Sequence, residues 1–184
     1  VVEQAKKEKP DAVVIAGDIY DKAVPSAEAV SVFDWFVLSM KKEVPDTVVM
    51  MISGNHDSAP RVNLYRGILE EQKLYMAGMP PQQPEEHIQK VIMSDEWGNV
   101  NFYLLPFVRP SMVKNIVGTE ADGTLCSYHE TVKRLLEREE INIRERNVLV
   151  SHQFYLLDGI DAEQVERMDS EIRTVGNIDQ VGAS

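Results

Sequence analysis

The segment Asp46–Asp57, "DTVVMMISGNHD", runs from a β-branched apolar stretch into a Ser-Gly break and then delivers Asn55, His56 and Asp57 in succession. A continuous apolar run of this length is the pattern of a strand buried on both faces, as in a sheet covered by helices. Gly, Asn and Asp also build ordinary turns, because they tolerate left-handed backbone and cap their own neighbours. An amide, an imidazole and a carboxylate at one strand end can equally be chemistry, and the rest of the chain has to separate the two.

Two further runs end in the same way: "DAVVIAGD", Asp11–Asp18, and "NVLVSH", Asn147–His152. Ligands of open α/β sheets bind beyond the carboxyl ends of the strands, where loops converge on rigid roots. Here the three runs terminate in Asp18, in Asn55 with His56, and in His152, each a potential metal ligand. Carboxylate, amide oxygen and imidazole form a mixed oxygen and nitrogen set suited to Mn²⁺, Fe or Zn²⁺ rather than to a thiolate site. An aspartate can also bridge two cations about 3.5–4 Å apart, the spacing of two-metal phosphoester hydrolysis.

Between the first two runs, Pro25–Val44 ("PSAEAVSVFDWFVLSMKKEV") carries Ala29, Val32, Phe33, Phe36, Val37 and Met40 at helical spacing behind Ser26 as N-cap. Trp35 and Phe36 are expected in the core. Lys90–Phe107 reads as two strands joined by a turn around Asp95–Asn99, and about Tyr128–Glu140 as a helix. "VVEQAKKEKPD" at the start reads as the back half of a helix ended by Pro10, and the Pro-rich Gly78–His87 as a surface loop. The expected fold class is α/β, with layered, mixed β-sheets covered by helices, and the 184 residues suit one well-packed domain over 1–184, or one with a small appendage.

Hydrophobic residues at 43% and charged residues at 27% are ordinary for a globular protein. No apolar run approaches the roughly 20 residues that span a bilayer, and no signal-peptide pattern is present, so a cytoplasmic setting without membrane attachment is expected. Cys126, the single cysteine, has no partner for an internal disulfide and is read as a packing residue. His87 and His129 are read as surface residues. The net charge of −11 repels nucleic acid, so phosphate chemistry here needs metal ions or a local basic patch. Arg61 and Arg66, just downstream of His56, and Arg109, after a strand end, are the candidates for that patch.

"GDIYD", Gly17–Asp21, followed by "GNHD", Gly54–Asp57, resembles the paired signature of the calcineurin-like metallophosphoesterases. Within that superfamily, "GNHDSAPRVNLY", "YLLPFVRP" and "VLVSHQF" resemble the SbcD-type nuclease subunits of bacterial DNA-repair complexes, over nearly all of the chain. The resemblance implies two divalent ions, Mn²⁺ by preference, with Asp18 bridging them and Asn55 and His152 as ligands of the second. It places His56 as a catalytic histidine facing the scissile phosphate, where it stabilises developing charge or protonates the leaving oxygen. Asp57 and Asp21 are implied to orient imidazole and loop backbone. The implied partners are DNA and an SbcC-like ATPase, with the chain as a homodimer inside a heterotetramer that processes double-stranded ends and hairpins in repair, recombination and replication. The chain has no "GxxxxGK" loop, so ATP dependence would come from the partner.

Two departures qualify that implication. The family's opening Asp-x-His motif and its later Gly-His-x-His motif are both absent here. The second ion thus keeps Asp18, Asn55 and His152, the first keeps Asp18 alone, and the expectation is a piece of a longer protein to which the activity belongs. Two other readings stand beside the nuclease: a phosphatase or cyclic nucleotide phosphodiesterase of the same superfamily, and a catalytically incomplete domain that binds DNA or a partner.

Overall fold

The computed structural model of the protein describes residues 1–64, 66–157 and 181–183. The chain forms two compact units, one made of Val1–Pro80, Gln89–Phe107 and Asn142–His152, the other of Pro81–Ile88, Val108–Ile141 and the chain from Gln153. The tail, over which the resemblance also runs, lies largely outside the described residues.

In the first unit, β1 (Ala12–Ala16), β2 (Val48–Ile52) and β3 (Leu74–Ala77) form a parallel sheet with β2 in the middle. Parallel neighbours need a crossover between them. From β1 to β2 it is α2 (Ala27–Glu43), whose start is capped by Ser26 Oγ accepting the Ala29 N–H at 3.1 Å. From β2 to β3 it is two short helices, α3 (Ala59–Val62) and α4 (Arg66–Glu70). The opening helix α1 (Val2–Glu8) stops one residue before the proline, at Lys9, which takes the left-handed conformation with φ 47°. A residue preceding proline is disfavoured in the helical region, so Pro10 acts through its neighbour. A second sheet pairs β4 (Gln89–Asp95) antiparallel to β5 (Gly98–Leu105) and β5 parallel to β6 (Arg146–Ser151).

Successive side chains of a strand point to opposite faces, and β2 uses both. Val49 and Met51 pack with Met40, Val44, Leu74 and Met76 beneath the helices, while Met50 and Ile52 pack with Ala77, Val91, Leu104 and Val150 of the other sheet. The unit is therefore layered as helices, parallel sheet and mixed sheet, which explains why "VVMMI" carries no polar alternation. This is the α/β architecture expected, with one difference. β1 and β6 end their sheets among the described strands, so Val14, Val148 and Leu149 are each more than a third exposed rather than buried on both faces.

Trp35 is also not in the core: it is 61% exposed, beside Val32 at 59% and Leu38 at 62%. The helical period sends Phe33, Phe36, Val37 and Met40 against the sheet and leaves 32, 35 and 38 on the outward face. The Pro-rich loop is only partly superficial. Residues 83–87 are exposed, but Gly78 and Pro80 are buried, and the Gly78 carbonyl accepts a hydrogen bond from Ser53 Oγ at 2.8 Å.

In the second unit, α5 (Pro110–Val117) is followed by α6 (Tyr128–Glu137), and β7 (Tyr155–Leu157) pairs parallel with β8 (Val181–Ala183). Arg134 of α6 reaches Glu130 at 2.7 Å, the Val117 carbonyl at 3.1 Å and the buried Cys126 Sγ at 3.1 Å, tying down the connection between the helices. His87 is exposed and lies 3.4 Å from Glu139; His129 is exposed. No helix among the described residues is long and apolar enough to cross a membrane.

Candidate active site

Asp18, Asn55 and His152 follow the carboxyl ends of β1, β2 and β6, and the first unit brings all three together. His152 Nε2 lies 3.1 Å from Asn55 Oδ1 and 3.4 Å from Asp18 Oδ2. Its Nδ1 sits 2.8 Å from the Ala16 carbonyl, which can only accept, so Nδ1 carries a proton and fixes the ring. Nε2 then faces two acceptor oxygens, and a cation or a second proton has to stand between them.

The approach is that close because two glycines precede the ligands. A Cβ on Gly17 would overlap the His152 ring, and one on Gly54 would overlap the Asp18 carboxylate and backbone nitrogen. Gly17 and Asp18 both have positive φ, 107° and 44°, which turns the chain sharply off β1. Glycine adopts such angles without cost and aspartate tolerates them better than most residues. Neither glycine was singled out from the sequence as functional, although each stands directly before a ligand in "AGD" and "SGNHD".

Asp57 joins the two motif loops. Its Oδ2 accepts N–H groups from Ile19 at 3.0 Å and Gly54 at 2.8 Å, and its Oδ1 accepts that of Tyr20 at 2.9 Å. All three bonds go to backbone; none goes to an imidazole. The His56 N–H in turn donates to Asp18 Oδ1 at 3.1 Å, so the two loops hold each other in both directions. The His56 ring itself has no hydrogen-bond partner among the described residues and is left free to meet a substrate. Asp21 is exposed and makes no hydrogen bond among the described residues, so the orienting bonds come from Asp57. Arg61 in α3 and Arg66 at the start of α4 are exposed; Arg109 is exposed at the N-cap of α5 in the other unit. A cavity of about 390 Å³ between Trp97, Asn99 and Arg144–Arg146 lies at the starting ends of β5 and β6, whereas the ligands lie at the finishing ends.

A family model described as calcineurin-like phosphoesterase matches residues 1–166. The chain belongs to the calcineurin-like phosphoesterases. As a member of that family it is a phosphoester hydrolase with an α/β fold, and members of the family typically bind two divalent metals.

The residues of this phosphoesterase fit one such ion. Ligand atoms about 2.1 Å from a common ion stand roughly 3 Å apart when adjacent, close to the 3.1 and 3.4 Å separations around His152 Nε2. No cluster of three or more His, Cys, Asp and Glu that could hold a second ion occurs among the described residues. The Asp18 hydrogen bond raises the His152 imidazole above its usual value, against burial, which lowers it. Burial pushes the Asp18 carboxyl up, but His152 and the His56 N–H outweigh it and hold the group below the usual range.

A raised folded-state value means that this imidazole proton stabilises the metal-free fold below the ordinary pKa of about 6.5, and that the benefit is lost as pH rises through the raised value. A metal ion needs the same Nε2 lone pair. Affinity for Mn²⁺ is therefore expected to climb about tenfold per pH unit up to the His152 value and to level off above it. Calorimetric titration of the full-length protein between about pH 6 and 9 checks this, and a flat profile would remove His152 from the ligand set.

Proposed function

We propose that this phosphoesterase is a DNA nuclease of the SbcD type, which cleaves phosphodiester bonds in double-stranded ends and hairpins with two Mn²⁺-like ions. The observation that carries the reading is the Asp18, Asn55 and His152 corner with a free imidazole, His56, directly before a carboxylate, Asp57, that clamps both motif loops. When bound, the ions supply Lewis acidity and a nucleophilic hydroxide. Asp18, Asn55 and His152 would hold one of them. His56 would face the phosphate, stabilise charge on its equatorial oxygens and donate a proton to the leaving 3′ or 5′ oxygen. Asp57 would keep the two loops from parting as the charge develops. The phosphatase and cyclic nucleotide readings share this chemistry, so substrate size separates them. In the full-length protein across a metal series, cleavage of linear double-stranded DNA well above that of a nitrophenyl phosphodiester supports the nuclease. Turnover of the small substrate alone overturns it, and no metal-dependent turnover of either leaves a binding domain.

The polymer reading also rests on Arg61 and Arg66, exposed cations on a chain of net charge −11. Replacing Arg61 by Ala is expected to weaken DNA binding equally for unrelated sequences and to lower the slope of log affinity against log salt by about 0.9, the loss of one phosphate contact. A sequence-selective loss would contradict the assignment.

If the chain forms a homodimer, a second copy would cover the outward face of α2, where Val32, Trp35 and Leu38 are apolar side chains that its own core leaves open. Trp35→Glu is expected to turn a dimer into a monomer in sedimentation velocity, and a persistent dimer would place the contact elsewhere. DNA-end access driven by ATP would come from an SbcC-like partner, since the chain has no nucleotide-binding loop of its own.

A further inference from the structure

Ser53 is 1% exposed and immediately precedes Gly54, Asn55 and His56. Its N–H donates to the Ala77 carbonyl at 3.1 Å, its carbonyl accepts the Phe107 N–H at 2.9 Å, and its hydroxyl donates to the Gly78 carbonyl at 2.8 Å. The peptide after β3 is therefore fixed to the strand end that presents the site. From there the order is passed to α3, because the Gly78 N–H donates to Asn63 Oδ1 at 3.3 Å. The turn lies directly on Gly78: a Cβ there would overlap the Ala59 carbonyl and the Asn63 backbone and side chain.

A four-residue helix has almost no stability of its own, because forming its first turn orders several residues for one hydrogen bond. Two tertiary anchors hold this one, Val62, which is 3% exposed, and Asn63. Arg61 directly precedes Val62 in the turn, two residues before Asn63. A cation carried on backbone already held in place loses less freedom when it meets a phosphate. We propose that Asn63, through Gly78 and Ser53, is a positioning residue that keeps α3 and Arg61 in fixed register with Asn55 and His56, and so sets affinity for a polymeric phosphodiester rather than the hydrolytic step. The inference rests on the DNA reading above.

The test compares linear double-stranded DNA with a nitrophenyl phosphodiester in the metal-loaded, full-length protein. Asn63→Ala is expected to raise KM for DNA about five- to tenfold, the scale of one net hydrogen bond, with kcat on the small substrate within about twofold. The salt slope should fall as in Arg61→Ala, and Asn63→Ala should add little in an Arg61→Ala background, because both act through one contact. Asn63→Asp, which keeps an acceptor at the same reach, should restore KM toward the wild-type value when both are compared at high salt, where its added negative charge is screened. Asn63→Ser, too short to reach the Gly78 N–H, carries the same comparison if the alanine variant does not fold. Equal losses on both substrates, or effects that add to those of Arg61→Ala, would overturn the positioning role. If Arg61→Ala weakens DNA binding and Asn63→Ala does not, this inference alone falls. If Arg61→Ala leaves DNA binding unchanged, the polymer reading falls and takes the inference with it.

Discussion

Replacing His56 by Ala in the full-length protein is expected to lower phosphodiester cleavage about 10²–10⁴-fold, the range of a lost general acid, while metal content stays near that of the wild type. Replacing Asp18 by Asn should abolish both. The division follows from geometry. His56 hydrogen-bonds the metal corner through its backbone N–H, which Asp18 Oδ1 accepts, and its ring makes no hydrogen bond among the described residues. Asp18 is the only carboxylate among the described residues that pairs with His152 in that corner, and its neutral replacement removes the charge that holds a cation there. Elemental analysis of the purified variants beside their cleavage rates makes the comparison. Equal metal loss in both would mean that the His56 ring is a ligand, and the roles would have to be exchanged.

Asp57→Ala should be nearly as damaging without touching a ligand. The change strands the N–H groups of Ile19, Tyr20 and Gly54, all partly buried. A hydrogen bond to a charged group contributes about 1.5–3 kcal/mol, and three bonds to one carboxylate do not simply add, so a loss of about 3 kcal/mol in stability is expected. Because the stranded groups belong to the loops carrying Asp18 and Asn55, metal affinity should fall at least tenfold along with activity. Asp57→Asn keeps one acceptor oxygen and should lie between the two. Thermal unfolding with and without Mn²⁺, together with a metal titration, reads both effects. Wild-type metal affinity in Asp57→Ala would show that the loops hold their places without the clamp.

The sequence alone was sufficient for the fold class, because its signal is periodicity and composition. "VVMMI" has no polar alternation since helices cover one face of β2 and a sheet the other, and a chain cannot hide such a run anywhere else. It was sufficient too for naming Asp18, Asn55 and His152 as candidates, since a strand end is a local feature; the parallel sheet gathers the first two on one side, and β6 of the mixed sheet delivers the third. Side-chain environment was less legible. Trp35 and Phe36 are neighbours in sequence and differ only by 100° around α2, so hydrophobicity sent both inward, and only the packed helix shows that Trp35 looks out.

What the tertiary structure decided are the relations across long separations. The Nδ1 bond of His152 to Ala16 links residues 136 apart, and Asp57 reaches Ile19 across 38. Nothing in "GNHD" states that its aspartate bonds the amides of the "GDIYD" loop rather than an imidazole, nor that Asp21 stands clear of both. The same holds for the glycines. Gly17 and Gly54 look like turn residues in the sequence, but their missing side chains make room for His152 and Asp18 arriving from other strands. Periodicity reports which face of an element is buried; which atom meets which is set by the assembly of strands far apart in the chain, and only the folded backbone contains that information.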